Sequence, residues 1–107
     1  MTGHLTRYAS HAYIRSVGFE WDKPKRARNL KDHGVDFIEC EGVFEDPLAL
    51  IRSDFNHSNG EHRLIIVGRS RKGRLLLTVF AERGTEIRII SSRRATRREV
   101  RDYEKGV

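Results

Sequence analysis

The sequence predicts an α+β domain whose helices lie on one side of an antiparallel sheet. Three observations carry that expectation. Two short helical patterns with capping signals lie between residues 22 and 44. Extended, β-rich runs joined by short glycine-containing turns follow from residue 48. A capped helix then closes the chain after Thr96. Strands grouped apart from helices are the pattern of a layered α+β fold, and 107 residues leave room for one core.

Residues 1–18, MTGHLTRYASHAYIRSVG, carry no strong apolar stripe and are expected to be an extension, disordered or helical, ahead of a single domain over 19–107. GFEW begins that domain as a short strand. Asp22 can cap a helix from about Lys23, with Pro24 tolerated in its first turn. Gly34 suits the left-handed position after that helix, and His33 sits near its negative end. Asp36 and Glu39 have capping-box spacing, and Phe37, Cys40 and Phe44 fall on one face of a second short helix. After Pro47 the pattern turns extended: LALIRSD, the polar loop FNHSNGE, HRLIIVGRS, RLLLTVFAE and EIRIISS read as a meander of about four strands. In the last helix Thr96 and Glu99 form a capping box, Ala95 and Val100 hold the staple positions, and Val100 and Tyr103 are expected to face the sheet.

Charge is distributed unevenly. The formal net charge is +6 with a pI near 10. Residues 1–62 hold 8 Lys and Arg against 10 Asp and Glu, whereas residues 63–101 hold 12 against 3. Asp36 to Asp46 contributes five carboxylates and no base. Such asymmetry is a usual footprint of nucleic-acid or acidic-partner binding. The single cysteine, Cys40, excludes an internal disulfide and fits a reducing, cytoplasmic setting. No apolar run is long enough for a membrane helix and no secretory signal is visible, so a soluble protein without a membrane partner is expected.

Several chemistries find no support in the residues. His57 and His62 are five apart, and no HxxxH or CxxC pattern occurs, so no metal or cofactor is expected. Cys40 has the spacing of a core residue, and GRSRKGR is a basic hairpin turn with no phosphate-loop pattern. Acid–base cleavage of a phosphodiester remains. It needs a base for the 2′-hydroxyl, an acid for the leaving oxygen, and cations for the developing charge. Arginine suits the last role, because its fork binds phosphate oxygens in pairs and stays protonated. The base or acid must come from His57, His62, Glu61, Glu82, Glu99 or Tyr103, and the residues alone do not choose among them. Arg88, between Ile87 and Ile89, falls on the strand face opposite the isoleucines, where a substrate could lie. Arg93, Arg94, Arg97 and Arg98 crowd a helix start, where the dipole disfavours cations, and this suggests an anion there.

Read in order, FEWD…K…NL..HGV.F, VFEDPLA, HS.GE.R, GRS..GRLL and ERG..IRIIS.RRAT..E...YE resemble the BrnT toxin family, from about Phe19 to Glu104. His57, Glu61, Glu82, Thr96, Glu99 and Glu104 stand at motif positions, as do Lys25, Arg63, Arg83, Arg88, Arg93 and Tyr103; His62 does not. The resemblance implies a fold similar to RelE-type toxins and an endoribonuclease that inhibits translation. It also implies a BrnA-type antitoxin with a ribbon-helix-helix element, DNA being reached only through that complex. On this reading the enzyme needs no metal. His57, Glu82, Arg83 and Arg88 are the expected catalytic residues, and RNA, including mRNA at the ribosome, is held by Lys25, Arg63, Arg93, Arg94, Arg97, Arg98 and Tyr103. The competing reading is a basic binding module for an acidic protein or nucleic acid, with no chemistry of its own.

Overall fold

The computed structural model describes residues 6–7, 18–54 and 61–106; most of the N-terminal extension (1–5 and 8–17) and the loop that carries His57 lie outside the described residues. In chain order the elements are β1 (Thr6–Arg7), β2 (Gly18–Glu20), α1 (Lys23–His33), α2 (Phe37–Cys40) and a 3-10 turn (Glu41–Glu45). Then come β3 (Leu50–Ser53), β4 (Arg63–Arg69), β5 (Leu75–Arg83), β6 (Glu86–Arg94) and α3 (Arg97–Lys105).

Local signals set the helix ends. Asp22 accepts the Lys25 amide at 3.0 Å, and Gly34 stops α1 at φ 70°. Thr96 and Glu99 close a reciprocal capping box: Glu99 N donates to Thr96 Oγ1 at 3.2 Å and Thr96 N donates to Glu99 Oε1 at 2.8 Å. At α2 only half of the expected box forms. Asp36 accepts the Ile38 amide at 3.1 Å, but the Glu39 carboxylate turns inward to the β4–β5 hairpin.

The four-stranded meander β3-β4-β5-β6 is antiparallel, as expected, and gains a strand at each edge: the sheet order is β1-β3-β4-β5-β6-β2. β2 pairs parallel with β6, with Phe19 opposite Ile87 and Glu20 opposite Arg88. A register shift opposite Val79 and Phe80 leaves Ile90 as the extra residue of a bulge, since Val79 pairs with Ser91 and Phe80 with Ile89.

Strand alternation divides the apolar residues between two faces. Ile51, Ile66, Leu76, Phe80, Ile87 and Ile89 meet Phe37, Cys40, Val43 and Phe44 beneath α1 and α2. Phe44 stacks edge-on against Phe80 at 4.8 Å, and each fully buried Phe contributes about 1.5–3 kcal/mol. Leu50, Ile65, Val67 and Leu77 point the other way and receive Tyr103 of α3. The expected arrangement is therefore corrected: α1 and α2 cover one face, and α3 covers part of the other. The sequence period predicts an inward side for α3 but not which face of the sheet it meets; of the two residues expected there, Tyr103 is buried against the sheet. No helix among the described residues is long and apolar enough to cross a membrane.

Candidate functional site

Helix α3 roofs only one end of its sheet face. Beyond it, the same alternation that buries Leu50 and Val67 sends Arg52 of β3, Arg63 of β4 and Ser91 and Arg93 of β6 to the open side, with Asp54 just after β3 beside them. Together with His33, from the end of α1, they rim a concavity of about 480 Å³ floored by Ile65, Leu77, Val79 and Ile90. Arg52 pairs with Ile65, so Arg63 is its diagonal neighbour, about 7–8 Å away across the ladder. The Arg63 Nε is buried and takes no hydrogen-bond partner among the described residues. A buried donor left unmade costs about 1–3 kcal/mol, which marks Arg63 as a group awaiting an acceptor.

Arg63 and Arg88 share one cross-strand row, both opposite Ala81, which puts their backbones two strand spacings apart, about 10 Å. Arg88 lies 4.0 Å from Glu61 and lines a smaller hollow of about 230 Å³ with Glu20, Trp21, Asp22 and Arg83. Arg83 is half-exposed and 3.4 Å from Glu20. Glu82 is exposed near the end of β5, on the strand side opposite Arg63 and Arg88, since it pairs with Ile87. Lys25 lines a further hollow on α1. His62 is exposed, with its Nε2 3.1 Å from Ser53 Oγ. The structure thus brings Arg63 and Arg93 together, sets Arg88 and Arg83 beside them, and leaves Glu82 apart.

Two of the expected phosphate-binding groups have structural partners. Arg93 grips the Glu99 carboxylate with two nitrogens at 2.9 and 3.0 Å. Burial opposes ionisation of Glu99, but the bonds from Arg93 and Thr96 outweigh it and hold the carboxyl below its usual range. The anion expected at this helix start is, for Arg93, a carboxylate of the chain itself: Arg93 neutralises the capping Glu99. Arg94, Arg97 and Arg98 are exposed. Tyr103 is buried and donates its hydroxyl to Asp46 at 2.7 Å, under the Arg69 guanidinium, so it ties α3 to the sheet and does not face the open concavity. Burial, then the Asp46 bond, raises its phenol above the ordinary value.

Part of the charge asymmetry also acts inside the fold. The acids of the first half meet bases of the second: Glu39 with Arg74, Glu41 and Glu45 with Arg71, Glu20 with Arg83, and Glu61 with Arg88. Cys40 is fully buried, and burial pushes its thiol up to about 11, which removes it as a nucleophile. Among the described residues no three His, Cys, Asp or Glu side chains gather as a metal site.

The sequence reading missed Arg52, Asp54 and His33 as site residues. A signal existed for the first two: in LIRSD they alternate with Ile51 and Ser53 and so share the face of Leu50. His33 had none, because its place depends on how α1 packs against β6.

Comparison with known proteins adds a family. A model of the ribonuclease toxin BrnT, of type II toxin-antitoxin systems, matches residues 21–99. A 1.1 Å crystal structure of the Brucella abortus ribonuclease toxin BrnT aligns with TM-score 0.55 and 24% identity, covering 76% of this chain and 100% of that one, a likeness of fold. No curated protein matches the chain.

Proposed function

The chain belongs to the BrnT family of ribonuclease toxins of type II toxin-antitoxin systems, and from that premise we propose that it cleaves RNA without a metal ion in the concavity of its open sheet face. The observation that carries the reading is Arg63, whose buried Nε has no acceptor among the described residues and which lies beside the second guanidinium of Arg52. Two such forks can share the oxygens of one phosphate and neutralise the charge that develops on it. The 2′-oxygen attacks the phosphorus as the bond to the 5′-oxygen breaks, leaving a 2′,3′-cyclic phosphate and a 5′-hydroxyl. One group removes the 2′ proton and another returns a proton to the leaving oxygen. His33, at the rim, is one imidazole for this work; His57 stands in sequence between Asp54 and Glu61, which border the arginines, and is the other. Arg88 and Arg83, paired with Glu61 and Glu20, lie next along the sheet and can take a further phosphate of the substrate by exchanging those partners.

The remaining parts of the proposal follow the family resemblance. Cleavage of mRNA inhibits translation in the cytoplasm. An antitoxin of the BrnA type, with a ribbon-helix-helix element, neutralises the toxin and supplies the only contact with DNA.

The test is incubation of the purified chain with defined RNA in excess EDTA. The parent yields cyclic-phosphate ends, and Arg63→Ala and Arg52→Ala each lower the rate about 100-fold or more, the usual effect of removing one transition-state donor. Undiminished cleavage by a folded Arg63→Ala variant refutes the site. No cleavage by the parent on free or ribosome-bound RNA favours the binding-module reading.

A further inference from the structure

We infer that the groove continues past the scissile phosphate into a second phosphate subsite formed by Lys25 and Arg28, so that the substrate is a single RNA strand of at least three nucleotides. The inference rests on the RNA-cleaving reading above and names what lies next to its reacting centre. The main concavity has a neighbour of about 270 Å³, lined by one stripe of α1 and by Ile90 and Ser91 of β6. The stripe runs Lys25, Arg28, Asn29, Asp32, spaced i, i+3, i+4 and i+7, as one helix face must be. His33, Ile90 and Ser91 line both hollows, so the two are one trench with a bend at the bulged Ile90.

The trench is rigid where it matters. Asn29 is buried; its Nδ2 donates to Ser92 O and Val35 O at 2.9 Å each, and its Oδ1 accepts the Ser92 amide at 3.0 Å. These bonds hold α1 at a set offset from β6, and with it the two cations one turn apart. Neither Lys25 nor Arg28 makes an ion pair among the described residues, whereas most arginines on the opposite side of α1 and the β4–β5 hairpin do. With Asp32 the only carboxylate on the stripe, the subsite carries one net positive charge, matched to one phosphodiester. The apolar Ile90 at the bend gives a ribose or base a surface to rest on. Two phosphate subsites on either side of one bend call for a backbone that turns between neighbouring linkages, as a single strand does and a stacked duplex does not.

The experiment uses a tetranucleotide RNA, 2′-O-methylated so that it binds without reacting, with a neutral methylphosphonate placed at each of its three linkages in turn. Affinities are measured for the full chain and for a Lys25→Ala, Arg28→Ala variant. In the parent, two linkages are expected to be sensitive to neutralisation, each costing about tenfold. In the variant, sensitivity disappears at one linkage and persists at the other, and the slope of log affinity against log salt falls by about 0.7. Equal loss at every linkage, or sensitivity retained at both, overturns the subsite. If the parent shows the two-linkage pattern but cleaves no RNA, the subsite stands and the catalytic reading fails. If it cleaves while only one linkage matters, the reverse holds.

Discussion

Replacing Glu39 by Gln tests the contact that joins the two halves of the molecule. Glu39 is 5% exposed and accepts Ser70 Oγ at 2.6 Å and Arg74 Nε at 3.0 Å, with a second Arg74 nitrogen on its other oxygen. Glutamine keeps the volume but turns one acceptor into a donor facing a guanidinium. Losing one partner of a buried pair costs about 3–5 kcal/mol. Arg74 is a quarter exposed, so water recovers part of its solvation, and we expect a loss of about 2–3 kcal/mol. For a chain near 100 residues that lowers Tm by about 10–20 °C. The pH dependence has a definite sign. The Arg74 bonds outweigh burial and hold the Glu39 carboxyl below its usual range. A carboxyl lowered in the native state contributes stability that is present above its unfolded value and lost as pH falls through the native one. The gap between parent and Glu39→Gln is therefore widest near neutrality and narrows in acid. Urea unfolding followed by Trp21 fluorescence at a series of pH values measures it, with Glu45→Gln, in a half-exposed pair with Arg71, as a control that should not move. A variant as stable as the parent at neutral pH, or a gap that widens in acid, refutes the reasoning.

Tyr103→Phe removes one hydroxyl bond to Asp46, which still accepts the Arg69 and Leu48 amides; a loss of about 1 kcal/mol is expected with RNA cleavage unchanged, whereas a role in holding RNA predicts lost activity on a stable fold. Cys40, buried and with its thiol near 11, should resist iodoacetamide in the native protein at neutral pH and react once urea opens the core; rapid native alkylation would contradict its placement.

Much of the fold could be read locally. Asp22, Gly34, Thr96 and Glu99 act within four residues of themselves, so their patterns marked the ends of α1 and α3 without tertiary information. Tyr103 marked the inward side of α3 for the same reason. Glu39 shows where local reading fails: its capping-box spacing was real, but a partly buried guanidinium 35 residues away offered a stronger partner than a backbone amide. Arg93 is the converse. Its position beside a helix start looked costly until Glu99 was seen to take its charge. Of the arginine-rich surface, the sequence indicated the composition, and Arg63 was singled out through motif resemblance; that its buried Nε meets no acceptor among the described residues was visible only in three dimensions.

What the sequence determined by itself is the order of the elements from β2 onward and the inward or outward alternation of the strands, because these depend on capping, on chain periodicity and on turns only a few residues long; the edge strand β1 and the bulge at Ile90 were not among them. The tertiary structure decided which side of the sheet α3 takes, which arginines are spent on carboxylates and which are left for a substrate. Those outcomes depend on contacts between residues far apart in sequence, such as Asp46 with Tyr103, 57 positions apart, whose formation is governed by strand order and register. The site belongs to that second group: Arg52, Arg63 and His33 come from three separate elements, and only the assembled sheet with α1 docked on β6 makes them neighbours.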